Sequence, residues 1–154
     1  MATKMVDIIQ RLLSLDGIER GDGVTAAEIS SAETELGLTI PPDYRLFLQK
    51  IGWLGIAGQE IWGLGPDLPP YIHLVAATKS WRANEMMGLP AHVLPFEEDG
   101  GGNLLVLDCS LVGISASPVF FWDHEVGPGQ QPDAFCESLA EQLNKYISIH
   151  IAEL

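Results

Sequence analysis

The sequence is short of positive charge, of cysteine and of uninterrupted apolar stretches, and each shortage argues against a class of function. Of its 154 residues 8 are Lys or Arg and 21 are Asp or Glu, a formal net charge of -13. A surface for nucleic-acid phosphates needs clustered cations to release counterions, so no such partner is expected. An anionic membrane face is disfavoured for the same reason. The two cysteines, Cys109 and Cys136, lie far apart with no C-x-x-C spacing. That pattern gives no sign of a disulfide framework or a zinc site and points to free thiols in a reducing compartment. No stretch approaches the roughly 20 apolar residues of a membrane span. Lys4, Asp7 and Arg11 interrupt the opening segment, unlike a secretory signal. The expected location is cytoplasmic.

What is abundant is core material. With 47% hydrophobic residues, a chain of this length suits one compact domain. Met5, Ile8, Ile9 and Leu12 keep the i, i+3, i+4, i+7 spacing of an amphipathic helix. This helix belongs to an N-terminal extension, residues 1–20, expected to pack on the rest. Thr25 and Glu28 form a capping box flanked by Val24 and Ile29 at the staple positions, predicting a helix over about 26–36 that ends at Gly37. Pro41 and Pro42 open a third helix carrying Tyr44, Phe47, Leu48 and Ile51, which Gly52 stops.

Beyond Gly52 the pattern changes. Trp53 to Leu64 suits two short strands turning near Gly58, and residues 71–87 return to helical spacing through Leu74, Ala77, Thr78 and Trp81. Residues 92–96, 103–108 and 118–123 read as short antiparallel strands. Leu104 to Leu107 is apolar on both faces and should be central. Phe135, Leu139, Leu143, Tyr146 and Ile147 define a closing helix. Helices first, strands later and a helix last is the ordering of an α+β domain.

No catalytic constellation emerges. The run Gly100-Gly101-Gly102 is followed by a strand and lacks the Lys-Ser/Thr ending of a phosphate loop, so it reads as a β-turn. Ser115 lacks the second glycine of a nucleophile elbow. His124-Glu125 begins like a metalloprotease motif, but Gly127-Pro128 forbids the helix that motif needs. His73, His92, His124 and His150 are scattered singly, which gives no ligand set for a metal. Glu97, Glu98 and Asp99 lack the ligand alternation of a calcium loop. The expectation is no catalytic residue, no cofactor and no metal.

The remaining candidates are contact residues. Trp62, Trp81 and Trp122 fit apolar stripes and read as core, whereas Trp53, after a helix-ending glycine and near Glu60, is either core or an interface anchor. Glu97, Glu98 and Asp99 read as a solvated turn available to a basic partner. Asp123, His124 and Glu125 lie where a strand end meets loops and fit either turn stabilisation or an interface.

The order of these segments is more informative than any one of them. Leu36-Gly37-Leu38-Thr39-Ile40-Pro41-Pro42-Asp43-Tyr44-Arg45-Leu46-Phe47-Leu48 is followed by Ile61-Trp62-Gly63-Leu64 and then by Leu94-Pro95-Phe96. Asp99-Gly100-Gly101-Gly102-Asn103, Asp108, Pro118-Val119 and Phe121-Trp122-Asp123-His124-Glu125 complete the series. Together they resemble the SUKH superfamily, the Smi/Knr-type group of fungal cell-wall regulators and bacterial immunity proteins against polymorphic toxins. The resemblance runs over about residues 20–145. It departs from the family at Ile40-Pro41-Pro42, where Leu-Pro is usual, and at Ile51-Gly52, where Asn-Gly is common.

The resemblance implies a single α+β domain with a central, mostly antiparallel sheet flanked by helices, and no catalysis. It also implies a cytoplasmic immunity protein that occludes the active site of a cognate, basic toxin domain such as a nuclease. The contact residues expected are Trp53, Glu60, Glu97, Glu98, Asp99, Asp123 and Glu125. The alternative is a regulatory interaction module without a toxin partner.

Overall fold

The computed structural model describes residues 2–154. Helix α1 (Met5–Ser14) buries Met5, Ile8, Ile9 and Leu12 against the later helices, as its periodicity demands. A short strand β1 (Glu19–Arg20) follows. In α2 (Ala26–Leu36) the Thr25 hydroxyl accepts the Glu28 backbone N–H at 3.2 Å, and Gly37 ends the helix at φ +69°. Helix α3 (Pro42–Lys50) starts with proline and buries Tyr44, Phe47 and Leu48. Its Asp43 carboxylate, itself buried, accepts the backbone N–H and the hydroxyl of Ser117 at 2.7 and 2.6 Å. This clamps the start of α3 to a loop 74 residues away along the chain.

Strands β2 (Leu54–Ile56) and β3 (Gln59–Ile61) form the expected hairpin, with β1 added on the other side of β2. After β3 the chain crosses close over the end of α3. A Cβ on Gly63 would sit 1.6 Å from the Gly52 carbonyl oxygen, so only glycine fits there. Gly63 also pairs with the segment before α4 (Leu74–Ala83): its N–H donates to the Ile72 carbonyl at 3.0 Å and its carbonyl accepts from Leu74 at 2.8 Å. That pairing holds residues 71–73 out of the helix, and the His73 ring nitrogen caps it by accepting the Ala76 N–H. Helix α4 is therefore shorter than the 71–87 span that its spacing predicts.

The second sheet is an antiparallel meander of β4 (Val93–Glu98), β5 (Leu104–Asp108), β6 (Val119–Trp122) and β7 (Asp133–Cys136). The sheet structure is thus divided in two. The Trp62 N–H, donating to the Phe96 carbonyl at 2.8 Å, ties the three-stranded part to the four-stranded part. Strand β5 is internal, as its two-faced apolarity predicts: Leu105 and Leu107 join one core, Leu104 and Val106 the other. The first core fills the space between this sheet and α1, α2, α3 and α5 (Leu139–Ala152). The second lies on the opposite face beneath Trp62, Ile72, Met87 and Trp122, with the Trp122 indole N–H on the Met87 carbonyl at 2.7 Å.

Phe135 departs from expectation. The Ser138 hydroxyl accepts the Glu141 N–H and starts α5 only at Leu139, so Phe135 belongs to edge strand β7 and stacks on Phe121 at 6.2 Å. Its match to the helical stripe comes from register coincidence, since a four-residue step also fits a strand that runs into a helix. The α+β class holds, with five helices and two antiparallel sheets among the described residues. No helix among them is long and apolar enough to cross a membrane.

Candidate acidic interface

The β4–β5 turn is built by its own acids. One Glu98 oxygen, Oε1, accepts the N–H groups of Gly100 and Gly102 at 3.1 and 3.0 Å. Asp99 accepts the N–H groups of Gly101 and Asn103 at 2.8 and 3.0 Å and the Asn103 side-chain amide at 2.9 Å. Gly100 and Gly102 take φ of +86° and +90°, which turns these N–H groups toward the carboxylates. Partial burial opposes ionisation of Asp99. The Asn103 amide, the backbone donors and nearby His124 outweigh it and hold the carboxyl below the usual range.

The turn is fastened to the loop after β6. The Asn103 side-chain oxygen accepts the His124 backbone N–H at 3.0 Å and lies 2.6 Å from the His124 ring Nδ1. Asp123 spends its carboxylate on the Glu125 N–H at 2.8 Å, while the Gln130 side chain exchanges hydrogen bonds with the Asp123 backbone. Asp123 is thus half-buried and stabilises its turn, leaving Glu125 exposed beside it.

Across from Glu98 and Asp99 stands the β2–β3 hairpin with exposed Glu60, and between them runs a groove of about 340 Å³. Trp62, Tyr71 and Trp81 also line it. The Tyr71 hydroxyl donates to Glu60 at 3.3 Å, and the adjacent carboxylate pushes the phenol pKa up. The ion pairs among the described residues are Arg20–Asp22, Arg45–Glu33 and Lys79–Glu35, so none neutralises the acids of this groove.

Of the seven expected contact residues, Asp123 and Glu125 lie beside this groove's turn without lining it, and Glu97 and Trp53 do not line it either. Glu97 is 1% exposed and is a correction to the sequence reading, because no partner can reach it. Leu94 and Phe96 face the first core, so simple alternation would turn Glu97 to the opposite face, where Val93 joins the second core. A register shift between Pro95 and Glu97 instead sets Glu97 opposite Leu105, on the core face beneath α5. There its carboxyl meets the Tyr146 hydroxyl and the Gln142 side-chain amide, and burial pushes its pKa up to about 7. Trp53 is half-buried against Gly21 and Gly65 and does not line the groove. Trp81, read as core from its stripe, packs on the second core but keeps one side on the groove. Tyr71, which sequence reasoning placed inside a helix, is 63% exposed. No local signal marks it, since Pro69-Pro70 just before it fits the start of a helix as Pro41-Pro42 does.

Asp108, one of the positions carrying the resemblance, turns the chain by accepting the Ser110 N–H and hydroxyl at 2.9 and 2.6 Å. Among the described residues, no group of three or more His, Cys, Asp or Glu side chains is arranged to hold a metal ion.

No curated protein matches the chain. A protein-family model does: SUKH_6, described as SMI1-KNR4 cell-wall, over residues 26–143. The matched span contains the proline-led α3, both sheets apart from β1, and every wall of the acidic groove, while α1 lies outside it. With most of its length covered, the chain belongs to the SMI1-KNR4 family, SUKH_6.

Proposed function

We propose that this protein is a non-enzymatic, cytoplasmic immunity protein of bacteria that binds a cognate toxin domain and occludes its active site, the toxin being a nuclease with a basic cleft. The observation that carries the reading is the juxtaposition of Glu60, Glu98 and Asp99 around one groove with no cation paired to them among the described residues, on a chain of net charge -13. A nuclease cleft presents the cations that hold phosphate. Fixed carboxylates compete for those cations, speed encounter and select against acidic partners. Glu125 and the adjoining loop extend the acidic surface, tied to the groove through Asn103 and His124.

A second reading is a regulatory interaction module without a toxin partner, which the family's cell-wall description favours. The two separate by experiment. The C-terminal domain encoded by the adjacent upstream gene is expressed with and without this protein, and growth and co-purification are scored. Rescue of growth with a stable complex is expected. A folded pair that neither associates nor rescues growth removes the immunity reading and leaves the regulatory one.

A further inference from the structure

The walls of the groove are aromatic as well as acidic, and the two features call for the same guest. Tyr71, just before α4, and Trp81, near its end, line with Glu60 and Glu98 a space of about 340 Å³, over the buried Trp62 of the second core. That volume lies near the lower end of ligand sites, which run from roughly 300 to 1,000 Å³. It suits one side chain better than a small molecule enclosed on all sides.

We propose that this groove receives an arginine side chain of a protein partner, its guanidinium lying against the Tyr71 and Trp81 rings and forking toward Glu60 and Glu98. The inference deepens the binding role proposed above and rests on it for the kind of partner. Charge complementarity selects a cation, since Glu60 and Glu98 each keep an oxygen with no hydrogen-bond donor among the described contacts. The rings select arginine over lysine. A planar, weakly hydrated guanidinium stacks on an aromatic face and still presents its edge N–H groups to carboxylates, which a compact ammonium cannot do. The Glu98 carboxylate is already oriented by two backbone N–H groups, so little freedom is lost when the guest arrives.

The test uses the full chain with hexa-arginine and hexa-lysine peptides, following the Trp81 indole N–H by NMR and affinity by calorimetry. Hexa-arginine should shift the Trp81 signal and bind more tightly than hexa-lysine. Affinity should fall about tenfold in Glu60→Gln/Glu98→Gln and in Tyr71→Ala, and by less than about threefold in Glu137→Gln/Glu153→Gln, which removes the same charge elsewhere. Glutamine keeps an oxygen for the Gly100 and Gly102 N–H groups, and circular dichroism checks that each variant is folded. Equal losses in the two double variants, or no Trp81 shift, would overturn the groove as the site. Equal affinity for the two peptides would overturn the choice of arginine. A toxin domain whose complex survives Glu60→Gln/Glu98→Gln and Tyr71→Ala leaves the immunity reading standing without this groove. Hexa-arginine seated at Trp81 with no toxin domain bound leaves the groove standing without the immunity reading.

Discussion

Replacing Glu97 with glutamine should make the protein more stable at pH 8 and nearly unchanged at pH 4.5. Glu97 is buried between β4 and α5, where Tyr146 and Gln142 donate to it and no cation makes an ion pair with it among the described residues. Burial lifts its pKa from an ordinary 4.5 to about 7; the hydrogen bonds from Tyr146 and Gln142 and the charge of Lys145 offset part of that lift, while Asp99 adds to it. The neutral acid is therefore the form the fold prefers. Below pH 4.5 both folded and unfolded chains carry the proton and stability is at its full value. As pH rises toward 7 the unfolded chain releases the proton first, and stability falls by about 1.4 kcal/mol per pH unit over that interval. The total loss is about 3 kcal/mol, complete once the pH exceeds the folded-state pKa.

Glutamine has nearly the same shape, keeps an acceptor for the Tyr146 hydroxyl and has no proton to lose. The measurement is urea unfolding of both proteins at half-unit pH steps from 4.5 to 8.5, followed by tryptophan fluorescence and far-ultraviolet circular dichroism. Other carboxylates titrate alike in both proteins, so the difference between the two curves isolates this residue. It should open through pH 4.5–7 and level off near 3 kcal/mol in favour of the variant. Parallel curves, or a gap that closes as pH rises, would refute the assignment of Glu97 as a neutral buried acid.

Two further outcomes follow from the packing. Gly63→Ala drives a methyl group into the Gly52 carbonyl oxygen. It should cost about 3 kcal/mol or more and lower Tm by roughly 6–12 °C in a thermal melt, whereas an unchanged Tm would mean the crossing is looser than described. Burial first, and then the neighbouring Asp108 charge, push the Cys109 thiol up to about 12. Its thiolate fraction at pH 8 is then about one part in ten thousand, so a disulfide reagent should label it slowly in the native protein and quickly in urea. Fast native labelling at Cys109 would show that its shelter is transient.

Much of the architecture was legible because local rules act on neighbouring residues. The Thr25–Glu28 cap, the left-handed Gly37, the proline-led α3, the two-faced strand at Leu104–Leu107 and the α+β order all depend on contacts within a few positions, and the structure contains each of them. The ordered series from Leu36 to Glu125 was likewise readable, and the family match covers it. The candidate interface was legible only in part. Glu60, Glu98 and Asp99 are among the contact acids the sequence offers, but nothing in the sequence says that a hairpin at 54–61, a helix at 74–83 and a turn at 98–103 enclose one groove. Tyr71 gained its place there because the Gly63 pairing delays α4, a contact between separate segments. Glu97 shows the same limit most sharply. The sequence reads as a strand ending at Phe96 with Glu97 in a solvated turn, but β4 continues to Glu98 and one register shift against β5 sets Glu97 on the core face beneath α5. The side of a sheet that a residue faces depends on its pairing with another strand, so tertiary structure alone decided which of these acids stay open to water and that Glu97 is buried with its pKa raised.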